Sequence, residues 1–442
     1  MGEYLIKYYP KFSSNRFSEE AAFQVMFPKI AFNKHELTRY LSKLSTVLEK
    51  FIIVESLDKQ PFLAGSLLAE YYYTTQNEAA FKKSQKTNSK TIETLVPKES
   101  AHYFFQYLGK KREHNFLMHQ ANKRVIPDVF GQVINSLDSY YFIEILQNAT
   151  GLRSIQGIQE SEPKLPLLKP TLQWVSEHLD EASPLIQLWY FAYMLTCDPR
   201  SSGAYQNLKE GLLKNLRVIP AISARSFSVL LIRAMRLQTG NDRKRYLEER
   251  FEMYQIEIQE DWIIADKIIS YLAFNNIVTV SLALDKEQWA KDFIDKYGSY
   301  LIDEIRNDIL LYNRARLQFR NEYYSKCLQE TQKIAYLNNH LALGLKRLQL
   351  KCFFELKDYD SFFAAIHSYK AYIYRLDAGS EKTQKANIQL VKVLSRMGKL
   401  AGLTQYDQNV AASISELVNK EPYLLEKEWV IEKLSELEKG AS

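Results

Sequence analysis

The sequence predicts an all-α protein, an α-solenoid of stacked helix pairs behind an N-terminal helical part. Three observations predict it. First, the segments Leu311–Gln332 and Leu345–Tyr369 repeat one pattern: an apolar helix face, a short polar turn, and a second helix that opens on an aromatic residue. In the first copy Tyr312, Ala315 and Phe319 form the face, Asn321-Glu322-Tyr323-Tyr324 the turn, and Cys327 and Leu328 the second helix. In the second, Leu350, Phe353 and Phe354 precede Lys357-Asp358-Tyr359, and Phe362, Phe363 and Ile366 follow. Tyr324 and Tyr359 are 35 positions apart, near the period of about 34 for a repeated helix pair. Second, Gly (15) and Pro (12) are scarce while Tyr (29) and Phe (23) are abundant, which suits large side chains interlocked between helices. Third, 442 residues exceed the roughly 150 of an ordinary domain. A solenoid escapes that limit because its core grows in one direction.

From Phe17 the chain reads helix after helix. Ser18 caps a first helix with Glu19 and Glu20 in its opening turn, and Phe27-Pro28 stops it. Asn33 caps a longer helix in which Leu37, Leu41, Leu44, Leu48 and Phe51 recur at helical spacing. Helical stretches follow over Phe62–Thr87, Ser100–Asn122 and Asp128–Asn148, the last striped by Ile134, Leu137, Tyr141 and Ile145. Phe51–Glu55 is the one stretch with strand character. Gly151, Gly157, Pro163, Pro166 and Pro170 break the pattern and mark a connection. The expected organisation is therefore an N-terminal helical domain over 1–150, a linker over 151–170, and a repeat array over 171–442. In the array, second helices open near Tyr205, Tyr246, Trp289, Tyr324 and Tyr359, with spacings of 41, 43, 35 and 35. Lys385–Met397 and Gln405–Lys439 close it as amphipathic helices. A polar face of Glu426, Lys427, Glu432 and Lys433 suits the solvent-facing end of a stack.

These residues resemble the tetratricopeptide family. Leu311-Tyr312-Asn313-Arg314-Ala315 with Tyr324 and Cys327 matches that motif's first-helix small residue, turn aromatic and second-helix small residue. Ala315 and Cys327 stand 12 apart, as the motif requires. Ala290 lies near the corresponding position one unit earlier, whereas Leu350 and Phe362 replace both small residues one unit later. The resemblance covers about residues 260–375 closely and 170–260 loosely. The whole chain is also similar to a group of bacterial helical-repeat proteins that bring no activity to transfer. The resemblance implies a right-handed array of helix pairs that binds a partner along a concave face lined by first helices.

On that face Asn313, Arg316 and Arg320 share one stripe, Lys351 falls 35 positions after Arg316, Arg347 lies one turn before it, and Asn275 is roughly in register one unit earlier. They are expected to form a ladder of amide and cationic groups that grips an acidic segment or a C-terminal carboxylate. Reversing Arg316 and Lys351 to Glu should then abolish binding without unfolding. The plain alternative is a row of solvated polar positions. The expected function is a non-enzymatic, protein-binding scaffold that needs no cofactor.

Charge supplies a second reading. Residues 1–125 carry 19 Lys plus Arg against 12 Asp plus Glu, while the remainder carries 39 against 40. Glu19–Phe27 and Lys34–Lys50 running into Phe51-Ile52-Ile53-Val54 have the order of a helix-turn-helix with a wing, so Lys34, Arg39, Lys43 and Lys50 are the candidate nucleic-acid contacts. The alternative function is thus a transcriptional regulator with a repeat sensor array. The plain reading is a helical cap with solvated basic positions.

Catalytic motifs are absent: no GxGxxG, GxxxxGK[ST], GxSxG or HExxH occurs. His114 and His119, five apart, diverge around a helix and do not suggest shared metal ligation. Cys197, Cys327 and Cys352 have no zinc spacing, sit in apolar contexts and read as small buried hydrophobes. An odd cysteine count favours a reducing compartment. Met1–Phe12 holds no signal-length apolar run, Ile6 spoils a myristoylation motif after Gly2, and no stretch approaches a membrane span of about 20 apolar residues. A cytoplasmic protein without membrane contact is the expectation.

Overall fold

The computed structural model of the chain describes residues 6–7, 18–94, 99–119, 126–155, 164–237, 243–265, 267–335, 339–376, 381–402, 407–421 and 424–441. Among these residues the protein is all-α. It has twenty helices and a two-residue β-ribbon, Ile264–Ala265 antiparallel to Ile268–Ile269. Its internal contacts divide it into two compact units, Met1–Cys197 with Gln206–Pro220, and Asp198–Tyr205 with Ala221–Ser442.

The first unit holds α1 (Glu19–Met26), α2 (Lys34–Asp58), α3 (Pro61–Thr74), α4 (Glu78–Thr94), α5 (Ser100–His119), α6 (Ile126–Ile155), α7 (Leu168–Glu177) and α8 (Pro184–Cys197). The expected caps open the first two. Ser18 Oγ accepts from Ala21 N–H at 3.1 Å, and Asn33 Oδ1 accepts from His35 and Glu36 N–H at 3.0 and 3.2 Å. Each satisfies a donor that has no partner within its own helix. α2 runs unbroken through Phe51–Val54, so no wing strand exists there. β-branched residues cost a helix only tenths of a kcal/mol each, and a lone strand finds no ladder to join. The single helix expected over Phe62–Thr87 is two, broken at Gln76, whose φ is 55°. On α6 the covered face is Val129, Val133, Ile143, Leu146 and Ala149, whereas Ile134 and Leu137 of the expected stripe are exposed. α6 packs on α5 and α8, and those partners select its inward face. Of the expected connection, residues 151–155 continue α6 and residues 168–170 open α7, where a proline lacks an N–H that has no helical use. Residues 156–163 lie outside the described residues. Arg112 on α5 ties this helix to α3, donating to Glu70 at 2.5 Å and to Ser66 Oγ at 2.7 Å.

α9 (Ser202–Lys214) is divided between the units at Tyr205. The second unit continues with α10 (Ala221–Leu237), α11 (Arg243–Gln259), α12 (Tyr271–Ala283), α13 (Glu287–Tyr297), α14 (Asp303–Arg320), α15 (Tyr324–Gln332), α16 (Asn339–Glu355), α17 (Tyr359–Tyr374), α18 (Glu381–Ala401), α19 (Gln408–Lys420) and α20 (Lys427–Ala441). From α11 to α20 each helix packs on the next, and α12 also packs on α14, and α14 on α16. Tyr324 and Tyr359 are the first residues of α15 and α17.

One turn recurs where first helices meet second helices. At Ser281–Lys286, Gln318–Tyr323 and Phe353–Asp358 the last N–H bonds back to the first carbonyl at 3.0, 2.9 and 3.0 Å. The residue before that N–H is left-handed: Asp285, Glu322 and Lys357 have φ of 53°, 62° and 58°. This is the helix-terminating geometry that glycine fills at no steric cost, whereas an L side chain there costs on the order of 1 kcal/mol. The same turn closes α3, with Asn77 N–H on Tyr72 O at 2.9 Å, and α11, with Trp262 N–H on Glu257 O at 2.8 Å. Glu322→Gly and Lys357→Gly are each expected to stabilise the second unit by about 1 kcal/mol. Urea unfolding of the full chain checks this, and a loss of stability would contradict the reading of the turn.

The motif's small residues pack as a group, for Ala315 and Cys327 are fully buried with Leu348 and Cys352. One unit later the fully buried Leu350 and Phe362 belong to a larger cluster with Tyr369, Leu394 and Val430. Space for Phe362 is made by Gly398 on α18, where a β-carbon would stand 2.5 Å from the ring. Cys197 departs from the expected burial, because at the end of α8 it is exposed. Among the described residues no helix is long and apolar enough to cross a membrane.

Candidate functional site

A cleft of about 2010 Å³ opens in the second unit. α12, α14 and α16 all line it, together with α11 and residues 424–436. α12 contributes Asn275, Asn276 and Thr279, α14 contributes Tyr312, Arg316, Phe319 and Arg320, and α16 contributes Gly344, Arg347, Lys351 and Glu355. Five of the six expected groove residues therefore line one cavity. The sixth, Asn313, lies beneath it and is completely buried.

Helical spacing explains the grouping. Asn313, Arg316 and Arg320 are separated by three and four positions and so share one side of α14. Asn313 is the hub. Its Nδ2 donates to Asn275 Oδ1 at 2.6 Å and to Ile309 O at 2.8 Å, and its Oδ1 accepts from Arg316 Nη1 at 3.1 Å. Arg316 also donates to Asn275 O at 3.3 Å and to Thr279 Oγ1 at 2.8 Å, and its guanidinium lies 5.6 Å from the Tyr312 ring centre. The Arg316 head group is thus held by neutral acceptors, and among the described residues no carboxylate reaches ion-pair distance of it. Asn275 is buried, and its Nδ2 has no hydrogen-bond partner among the described residues. An unmet buried donor of this kind costs about 1–3 kcal/mol.

The other cations are held differently. Arg320 pairs with Asp285 and, at 3.5 Å, with Glu287. Lys351 Nζ is 2.7 Å from one oxygen of Glu426, and Arg347 Nε is 3.4 Å from the other. Arg347 also donates to Asn387 at 3.0 Å. Burial alone pushes the Glu426 carboxyl up, but Lys351, Arg347 and then Arg316 overcome it and hold the group at about 2. The acid expected from a partner is, at these two cations, supplied by the chain itself. The polar face expected at the solvent end of the stack is corrected with it. Glu426 is partly buried, and the Lys433 side chain, 12% exposed, pairs with Glu355 at 3.0 Å. Trp429 Nε1 donates to Glu355 at 2.7 Å and meets Phe354 edge-on. Reversal of Lys351 would set two carboxylates together, so it is a stability variant rather than a clean binding variant.

Beside Arg316 the cleft is aromatic and cationic. Lys286 lies 5.1 Å from the Phe251 ring centre, and both line the cavity with Tyr312 and Phe319. Neither α12 nor α14 contributes an acid to the lining. The acids come from α11, from the turns, from Glu355 and from residues 426–436. Sequence reasoning missed Glu426, Trp429, Lys286 and Phe251. The first two lie some 75 positions from their partners, and no local pattern marks such a contact.

The four candidate nucleic-acid contacts are exposed on α2. Lys34 pairs with Glu19 at 3.0 Å and Arg39 with Glu36 at 3.1 Å, while Arg39 and Lys43 flank the Tyr40 ring. Lys50 adjoins the apolar run Phe51–Val54, all four of which are more than half exposed. His114 on α5 contacts the Phe130 ring. Among the described residues no group of three or more His, Cys, Asp or Glu is arranged to hold a metal ion.

Fold and cleft together define an all-α protein with an open cavity walled by α11, α12, α14, α16 and residues 424–436, in which arginines and aromatic rings stand beside acids. A scan against protein-family models found no match, and searches of the curated proteins and of the solved structures found none.

Proposed function

We propose that the second unit is a non-enzymatic, tetratricopeptide-like array that holds an acidic segment of another protein in the cleft of α12, α14 and α16. One observation carries the reading: consecutive first helices line a single large cavity and present to it an arginine, Arg316, that is anchored by amides and a hydroxyl rather than by an acid. Charge-assisted bonds from a positioned guanidinium to a carboxylate are among the stronger available to a binding site. The buried Nδ2 of Asn275, without a hydrogen-bond partner among the described residues, leaves an unmet donor beside Arg316, and Tyr312, Phe319 and Phe251 supply stacking and apolar contact for a side chain next to the acid. Right-handed stacking of the helix pairs belongs to the same proposal, supported by the packing of α12 on α14 and of α14 on α16. A cytoplasmic setting fits the three free cysteines. The rival, DNA reading by α1 and α2, has less support, because Lys34 and Arg39 are ion-paired and the expected wing is helix.

The test is fluorescence anisotropy with a labelled acidic peptide ending in a free carboxylate. Binding is expected to saturate, to weaken with salt and to fall at least tenfold in Arg316→Glu, an arginine-carboxylate contact being worth about 1.5–3 kcal/mol. Equal binding of a basic peptide, or an unchanged affinity in Arg316→Glu with intact helicity, would contradict the reading.

A further inference from the structure

One glycine of the cleft stands where local structure gives no reason for it. Gly344 lies well inside α16, which runs from Asn339 to Glu355, in helical backbone that any residue adopts. A glycine within a helix weakens it relative to alanine, so backbone freedom does not account for the choice. Space does. A β-carbon on Gly344 would stand 2.5 Å from the Tyr312 hydroxyl and 3.4 Å from the ring carbon that bears it, and the three atoms nearest to it all belong to Tyr312.

Tyr312 is rooted on α14. Its ring therefore spans the gap between two first helices of the cleft and rests its hydroxyl against the bare backbone of α16. Four positions further along α14, the Arg316 guanidinium lies 5.6 Å from the centre of that ring. Side chains at this spacing meet on one helix, and a cation at this distance is drawn to the aromatic face. The other supports of Arg316 are its hydrogen bonds to Asn275, Asn313 and Thr279. Gly344, Tyr312 and Arg316 all line the same cavity.

We infer that Gly344 is a positioning residue of the cleft. By leaving room for the Tyr312 hydroxyl it sets the ring beside which the Arg316 guanidinium rests, and so the direction in which that guanidinium meets a carboxylate. The role rests on the function proposed for the cleft and adds a residue that tunes it without touching the acid. The hydroxyl is the far end of a side chain, so a methyl group at position 344 moves Tyr312 rather than the two helices, and the fold survives. The hydrogen bonds of Arg316 to α12 remain, so an acidic ligand is still bound, but more weakly. Removing the hydroxyl removes the conflict, because the next ring atom already stands at ordinary contact distance.

A double-mutant cycle of four full-length proteins tests it: the wild type, Gly344→Ala, Tyr312→Phe and the double variant. Gly344→Ala is expected to weaken binding of the labelled acidic peptide about fivefold in the wild-type background and less than about twofold in the Tyr312→Phe background, a coupling of the size that contacting residues show. An equal loss in both backgrounds, or no loss in either, overturns the inference. The same four proteins are unfolded in urea without peptide. Gly344→Ala is expected to raise the midpoint further in the Tyr312→Phe background, where the gain in helix propensity is the same and the hydroxyl is gone. Equal midpoint shifts show that Gly344 does not set Tyr312 and overturn the inference. A wild type that binds no acidic peptide contradicts the function proposed for the cleft, and the urea shifts then decide separately whether Gly344 positions the ring.

Discussion

Glu426→Gln is expected to cost the second unit about 2–3 kcal/mol at neutral pH and to flatten its stability against acid. The carboxylate faces Lys351 and Arg347, whose side chains are only 16% and 19% exposed. Removing its charge leaves two largely covered cations without their counter-ion, the situation in which an ion pair matters most. The pH dependence has a definite sign. The folded carboxyl sits at about 2 against an ordinary 4.5, so the folded state binds this proton less readily than the unfolded chain. Its contribution is therefore complete above the ordinary value and is lost as pH falls from about 5 towards about 2. A shift of this size corresponds to roughly 3 kcal/mol, reduced because the carboxylate keeps some solvent. Urea unfolding followed by circular dichroism at several pH values checks this. The gap between wild type and Glu426→Gln should close on acidification, and a gap that stays constant would show that Glu426 acts through shape rather than charge.

Asn313→Ala is expected to cost about 2–4 kcal/mol and to disturb the cleft without touching any ligand. The amide is fully buried and satisfies three groups at once: Asn275 Oδ1, Ile309 O and Arg316 Nη1. Each buried group left unpaired costs about 1–3 kcal/mol, and some of them relax onto other partners. Arg316 loses one of its anchors in the process, so affinity for an acidic peptide should weaken even where the variant is folded. Asn313→Asp restores an acceptor for Arg316 but not the donor to Asn275, and its stability should fall between the two. Equal stability of wild type and Asn313→Ala in urea would remove the hub role.

The local layer of this structure was legible in the sequence because its causes are local. Ser18 and Asn33 cap the helices they precede, Phe27-Pro28 ends α1, and Tyr324 and Tyr359 open α15 and α17, each by backbone chemistry contained within a few residues. The turn at Gln76 was not legible, because its left-handed residue is neither glycine nor asparagine. Neither was the covered face of α6, whose neighbours α5 and α8 choose between two apolar stripes that look alike in sequence. The same limit applies to the cleft. Periodicity alone places Arg316, Arg320, Arg347 and Lys351 on one side of their helices. It cannot say that Glu426, 75 positions beyond Lys351, returns to neutralise two of them. An acid just before an amphipathic C-terminal helix looks the same in sequence whether it meets water or a buried lysine. Phe51–Val54 misled for a related reason, since a β-branched run names a strand only where a partner strand exists.

Site-specific photo-cross-linking from Asn276, a residue of the cleft wall on α12, in living cells tests the account most directly. The prediction is an adduct with an acidic stretch of one partner protein, lost in Arg316→Glu and absent when the probe replaces the exposed Lys392 on α18. An adduct that persists in Arg316→Glu, or one that forms equally from Lys392, would contradict a cleft that binds acidic segments through Arg316.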